Sequence, residues 1–153
     1  MTNASAGILM WRRRDGEPQL LLAHFGGPIW RNRDDGAWAI PKGLIEPGEG
    51  AEETARREFE EETGHKPDGA LVPIGRIRQK GGKWVEAFAL EGDLDPAGIV
   101  SNRFMTEWPP RSGRFESFPE IDRAEWFGLA AARKKILPSQ LPLIDLIEAR
   151  LRQ

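Results

Sequence analysis

The segment from Gly43 to His65, GLIEPGEGAEETARREFEEETGH, constrains the fold more than any other part of the chain. It opens on glycine-rich turns, continues through helix-forming residues and stops at Gly64. That pattern predicts a helix over about Ala51–Glu62, with Gly64 placed for a left-handed C-terminal cap. The helix carries Glu58, Glu61 and Glu62, spaced i, i+3 and i+4, so the three carboxylates share one helical face. Crowded carboxylates repel one another unless a cation sits among them, which predicts a magnesium-type site and phosphate chemistry.

A Glu-rich helix is ordinarily a solvated face, and the helical angles argue against that bland reading. With Glu58 at 0° and ~100° per residue, Ala51 falls at about 20°, Glu62 at about 40°, Ala55 at about 60° and Phe59 at about 100°. Glu61 falls at about 300°, and Glu53, Arg56, Arg57 and Glu60 take the opposite side, at roughly 160° to 260°. Glu58 and Glu62 therefore point into the apolar sector. Half-buried acids lose hydration, so the pair must meet a cation or take up protons. All-oxygen ligands suit Mg2+ or Mn2+. Calcium is the weaker alternative, because no EF-hand loop is present and a rigid helix wraps poorly around an ion wanting six to eight oxygens.

The rest of the chain frames this helix. A length of 153 residues predicts a single domain, 1–153. Strands are expected at Ser5–Arg13, Gln19–Phe25 and Ala37–Ile40. Two more, Leu71–Gln79 and Lys83–Glu91, would form a hairpin across Gly81-Gly82. Pro73 marks the first of these as an edge or late-starting strand. Residues Asp93 to Pro119 read as a Pro/Gly-rich insertion without a defined shape. A strand at about Arg123–Phe127, a helix from Leu129 and a last helix over about Ser139–Leu151 complete the pattern. The expected class is α/β of mixed α+β character: a mixed sheet between helices.

Composition narrows the partners. The net charge of −2 gives no broad nucleic-acid surface. No apolar run approaches a membrane span, and the absence of cysteine excludes disulfides and thiolate metal sites. A cytoplasmic location is expected. His24 and His65 carry no triad spacing, so nucleophilic catalysis is not supported. Oligomeric state stays open.

The Gly43–His65 stretch resembles the signature of the Nudix hydrolases, G-x5-E-x7-R-E-U-x-E-E-x-G-U, where U is bulky and apolar. Gly43, Glu49, Arg57, Glu58, Phe59, Glu61, Glu62 and Gly64 stand in register. The last position departs, with His65 where the family packs an apolar side chain. The resemblance implies an α/β/α sandwich and Mg2+- or Mn2+-dependent hydrolysis of a pyrophosphate bond in a nucleoside diphosphate-linked substrate. It implies metal ligation by Glu58, Glu61 and Glu62 and by the Lys42 carbonyl. Glu120 is the first choice for a further carboxylate and Glu116 the second, against the bland reading of exposed loop acids. Glu61 is the candidate general base. Gly43, Glu49, Arg57 and Gly64 take structural roles.

For substrate binding, the Lys42 side chain, Lys80 and Trp84 are the candidates. Arg78, Lys83, Arg103, Arg111 and Arg114, with Phe104, Trp108 and Phe115, interleave charge and aromatic rings nearby. Such loops suit stacking on a base while gripping phosphates, though loop packing is the simpler reading for any one of them. The Pro41–Glu49 segment is most similar to the dinucleoside polyphosphate and RNA-pyrophosphate branch. A dinucleoside polyphosphate or a nucleoside triphosphate is thus the expected small-molecule partner, and an RNA 5′ end the one nucleic-acid alternative. With no tyrosine in the chain, Trp84 or another aromatic must supply the stacking. A non-catalytic nucleotide-binding module and a metal-free acidic helix are the readings from other classes.

Overall fold

A computed structural model describes residues 4–152. A mixed sheet lies between helices, as the alternation of strands and helices predicts. β1 (Ala4–Arg14) and β2 (Glu17–Phe25) form an antiparallel hairpin turned at Asp15-Gly16. Two short strands follow, β3 (Trp38–Ala39) beside β2 and β4 (Lys42–Leu44) beside the start of β1. The helix α1 (Ala51–Thr63) comes next, then β5 (Val72–Arg78) and β6 (Trp84–Glu91). The main order is β3-β2-β1-β6-β5. Among the described strand pairs only β1–β6 is parallel, and α1 forms part of the crossover between those strands.

β5 is an edge strand with a register shift between Pro73 and Gly75, where the missing proline N–H is tolerated. The insertion has a definite shape that sequence did not reveal: β7 (Arg103–Glu107) and β8 (Phe115–Pro119) form a separate antiparallel ribbon. β9 (Ile121–Gly128) then pairs with β2, and α2 (Leu129–Lys135) and α3 (Leu141–Leu151) finish the chain. The last helix begins later than expected, because Pro138–Gln140 form a 3-10 turn before it. No helix among the described residues is long and apolar enough to cross a membrane.

Side-chain alternation divides the core into two layers. Leu9 on β1 and Leu20 and Leu22 on β2 pack with Trp38, Leu143, Ile144 and Ile147 on the α2–α3 side. Ile8 and Met10 on β1 and Leu21 on β2 pack with Ala55 and Phe59 of α1. Phe59 is fully buried, and burying such a ring stabilises by roughly 1.5–3 kcal/mol. This clamp fixes the rotation of α1 and therefore where its acids point.

Both ends of α1 are held by chemistry legible in the residues around it. Glu52 and Glu53 occupy the first turn, where carboxylates complement the helix dipole. Gly64 has φ 76°, a left-handed conformation that glycine adopts without penalty, and its N–H donates to the Glu60 carbonyl at 2.8 Å. The insertion closes two further carbonyls: Val100 N–H donates to Thr63 and Asn102 N–H to Glu61, each at 2.8 Å. His65, at the departing signature position, is half-buried, with Nδ1 3.1 Å from the Thr63 carbonyl oxygen.

Candidate metal and active site

The acids on and just before α1 fall into two groups that share Glu58. Arg57 holds the first. Its Nε and Nη2 donate to the two oxygens of Glu49 at 2.8 and 2.9 Å, a bidentate pair. Glu49 also accepts from Thr54 Oγ1 at 2.8 Å and from the Glu46 N–H at 3.1 Å. These bonds, led by the guanidinium, pull the Glu49 carboxyl down to about 2. Nη1 of Arg57 reaches Glu58 at 3.0 Å and Glu61 at 3.2 Å. The signature arginine is thus a hub that ties the preceding loop to the helix.

The second group is compensated far less. Glu62 is 6% exposed, and its Oε2 has no hydrogen-bond partner. Burial first, then the neighbouring Glu58, push its carboxyl up to about 9; Glu120 pushes the same way, and the Lys42 ammonium opposes them. Glu58 and Glu62 therefore adjoin, and Glu120 and Lys42 are near enough to act on them. Gly43 makes room for this arrangement: a Cβ there would occupy the position of the Glu58 carboxylate.

Asn102 places Glu120. Its N–H closes the α1 carbonyl of Glu61, while its own carbonyl accepts the N–H of Glu120 at 2.9 Å. One residue of the insertion thereby fastens an acid from a distant part of the chain beside the helix. Glu116 lies on β8 facing Thr106 across the ribbon, with no hydrogen bond or ion pair to α1 among the described contacts.

Glu61 differs from its two neighbours. Its side chain is 41% exposed and paired with Arg57. Among the described residues, no three acidic or imidazole side chains converge closely enough to form a ready-made cation cage. The donor set still suits a hard divalent cation: it is all oxygen, it holds adjoining acids, and it includes an orphaned buried carboxylate oxygen.

The expected substrate-binding residues are dispersed. Lys42 sits on β4, paired with Gly7, and its charge bears on Glu62. Trp84 opens β6, opposite Arg78 across the β5–β6 hairpin. Its ring is flanked by two guanidiniums, Arg76 at 4.7 Å and Arg78 at 5.8 Å from the centroid. Arg76 escaped sequence reasoning, although counting back from the Gly81-Gly82 turn places it two residues behind Arg78 on the same strand face. Lys80 is exposed at the hairpin tip.

Trp30 was also missed; the signal was an aromatic residue two positions after the turn-forming run Gly26-Gly27-Pro28. It packs on Phe25 with ring centroids 4.8 Å apart. His24 is fully buried, with Nδ1 2.7 Å from Asp122 Oδ1 and Nε2 2.6 Å from the Arg33 carbonyl oxygen. It ties β2 to β9 and to the loop after β2.

A family model described as the NUDIX domain matches residues 1–147. Over 73 residues the chain is 44% identical to a mutator protein, MutT4, of Mycobacterium tuberculosis; the match spans 48% of this chain and 29% of that protein. An Ap4A hydrolase of C. elegans, solved as a binary complex, shares the fold with a TM-score of 0.67 at 21% identity, over 97% of this chain and 98% of that one. The NUDIX domain of Shewanella oneidensis NrtR, solved with ADP ribose, gives 0.64 at 15% identity, over 99% and 89%. These two likenesses concern the fold.

Proposed function

The chain belongs to the Nudix hydrolase family, and from that premise we propose that it hydrolyses a pyrophosphate bond in a nucleoside diphosphate-linked substrate, a dinucleoside polyphosphate or a nucleoside triphosphate. The observation that carries this reading is the pair Glu58–Glu62: adjoining carboxylates, one of them buried with an oxygen that bonds to nothing in the protein. An uncompensated acid costs stability, and a fold retains such a cost where a ligand relieves it.

In this reading Glu58, Glu61, Glu62, Glu120 and the Lys42 carbonyl hold Mg2+ or Mn2+. When bound, the metal supplies charge neutralisation on the pyrophosphate oxygens and acidifies water. The Lys42 ammonium, already near the acids, grips a substrate phosphate. The guanidiniums around Trp84, with Lys80 on the same hairpin, give the polyphosphate chain a cationic wall. Glu61 is the general base. Its exposed carboxylate takes a proton from the attacking water, a new P–O bond forms, and the bond to the bridging oxygen breaks. The leaving phosphate carries away that electron pair. Glu49 and Arg57 hold the loop against α1, and Arg57 also positions the Glu61 carboxylate through its Nη1. The cytoplasm is proposed as the compartment on composition alone.

A nucleotide panel tests the proposal. Mg2+- or Mn2+-dependent release of phosphate or nucleotide from at least one member is expected, lost by about 10²–10³-fold in Glu62→Gln, the scale of removing electrostatic stabilisation of a reacting group. Turnover of none of a broad panel, with metal binding intact, overturns the hydrolase reading in favour of a nucleotide-binding module. Metal titration without any binding overturns the site itself.

A further inference from the structure

The β7–β8 ribbon is the part of the chain for which the Gly43–His65 signature has no use, and it forms one wall of a cleft. The opposite wall is the loop that follows β2. The cleft is about 200 Å³, with Trp30, Phe104 and Trp108 presenting aromatic surface, Gly26 and Gly27 contributing walls without side chains, and Thr106 adding a hydroxyl. Pockets for drug-sized ligands run to roughly 300–1,000 Å³, so this one holds a single flat ring system and not a whole nucleotide.

The cleft's chemistry excludes an anion. Its carboxylate, Glu107, is consumed structurally: the two oxygens accept the N–H groups of Arg111 and Gly113 at 3.0 and 3.1 Å. What faces the space is otherwise aromatic, apolar or neutral. The cations stand outside the lining, on the same two segments: Arg31 and Arg33 on the loop, Arg111 and Arg114 on the ribbon turn. A mainly aromatic interior, its one carboxylate bound by backbone amides, between cation-bearing segments matches a base attached to phosphates.

Position links the cleft to the acids. Gly26, one of its walls, donates its N–H to the Glu120 carbonyl at 2.8 Å. Glu120 in turn bears on Glu62. The cleft thus begins one hydrogen bond from a residue of the proposed metal site.

We infer that this cleft, built from the insertion ribbon and the Gly26–Trp30 loop, is the binding site for the nucleotide's heterocyclic base. Phe104 and Trp108 are its stacking surfaces. The inference rests on the nucleotide reading above and deepens it. It also moves the base away from Trp84, whose ring already has Arg76 and Arg78 over it.

The experiment is calorimetric titration of the whole protein, with Mg2+, by adenosine 5′-monophosphate and by ribose 5-phosphate, which lacks the base. The wild type is expected to prefer the nucleotide by at least about tenfold, the scale of one or more stacking contacts. That preference falls about tenfold in Phe104→Leu, which keeps apolar volume and loses the ring face. Trp108→Leu reports independently should the first variant fold poorly, with near-ultraviolet circular dichroism as the check on folding. No preference in the wild type overturns the inference. So does a preference that survives both variants, or one lost in Trp84→Leu alone. Its failure is separable from failure of the hydrolase reading: wild-type turnover that vanishes in Glu62→Gln keeps the latter standing when the base preference never moves.

Discussion

The two sides of α1 handle the same charge in opposite ways. On one side, Arg57 and Glu49 form a bidentate pair with Thr54 and a backbone amide filling the remaining valence. On the other, Glu62 is buried against Glu58 with an unpartnered oxygen. Both arrangements are built within a few residues, so the difference is not a matter of sequence neighbourhood. The paired side fastens the loop to the helix. Arg57 joins the two sides, because its Nη1 also bonds Glu58 and Glu61.

The sharpest way to break that contrast is Glu62→Gln, which should move activity and stability in opposite directions. Turnover falls by about 10²–10³-fold, while the metal-free protein gains stability at pH 8. The sign follows from the raised carboxyl at about 9 against an ordinary 4.5. The stability that the protonated Glu62 contributes is fully present below pH 4.5 and is lost as pH rises through about 9. The variant's advantage therefore grows from pH 5 to pH 9, measured as thermal midpoints with chelator present. An advantage that is constant or reversed over that range would refute the unrelieved burial of Glu62.

Gly43→Ala tests the geometry of the same side. The added methyl claims the space of the Glu58 carboxylate. Displacing a reacting group by about 1 Å can cost 10²-fold, so kcat should fall by about that much. The urea midpoint should change little, because β4 keeps its pairing with β1. Loss of stability in proportion to activity would show that Gly43 serves the fold instead.

Arg57→Ala attacks the paired side and gives the smallest effect. Charge-assisted hydrogen bonds contribute about 1.5–3 kcal/mol where shielded; with Arg57 about a third exposed, a loss of about 2 kcal/mol in urea unfolding is expected. Its acid limb is diagnostic. Glu49 is held at about 2 from an ordinary 4.5, so the stability it contributes is present above pH 4.5 and disappears as pH falls toward 2. The variant should show a flatter profile across that window. Identical slopes in the two proteins would remove Arg57 as the cause of the depressed carboxyl.

Much of this was legible along the chain because helix and hairpin geometry are local. The 100° step put Glu58 and Glu62 in the sector of Ala55 and Phe59, and the structure buries Ala55, Phe59 and Glu62 and leaves the Glu58 side chain half-buried, at 15% exposure. Pro73 marked an edge strand and Gly81-Gly82 a hairpin turn, since a missing N–H and a positive φ act within a residue or two. The same angle set Glu61 apart at about 300°, and its side chain is indeed the exposed one of the three.

Tertiary structure decided what lies near those acids. Glu120 reaches α1 only because Asn102 hydrogen-bonds to both, and because β9 pairs with β2. The insertion, shapeless by composition, becomes a ribbon whose Phe104 and Trp108 line one cleft with Trp30 from a loop far earlier in the chain. Neither arrangement has a periodicity to announce it. Their energies come from contacts between segments that only strand pairing brings together, so the helix and its turns were determined by residue pattern and the neighbours of its carboxylates by the folded sheet.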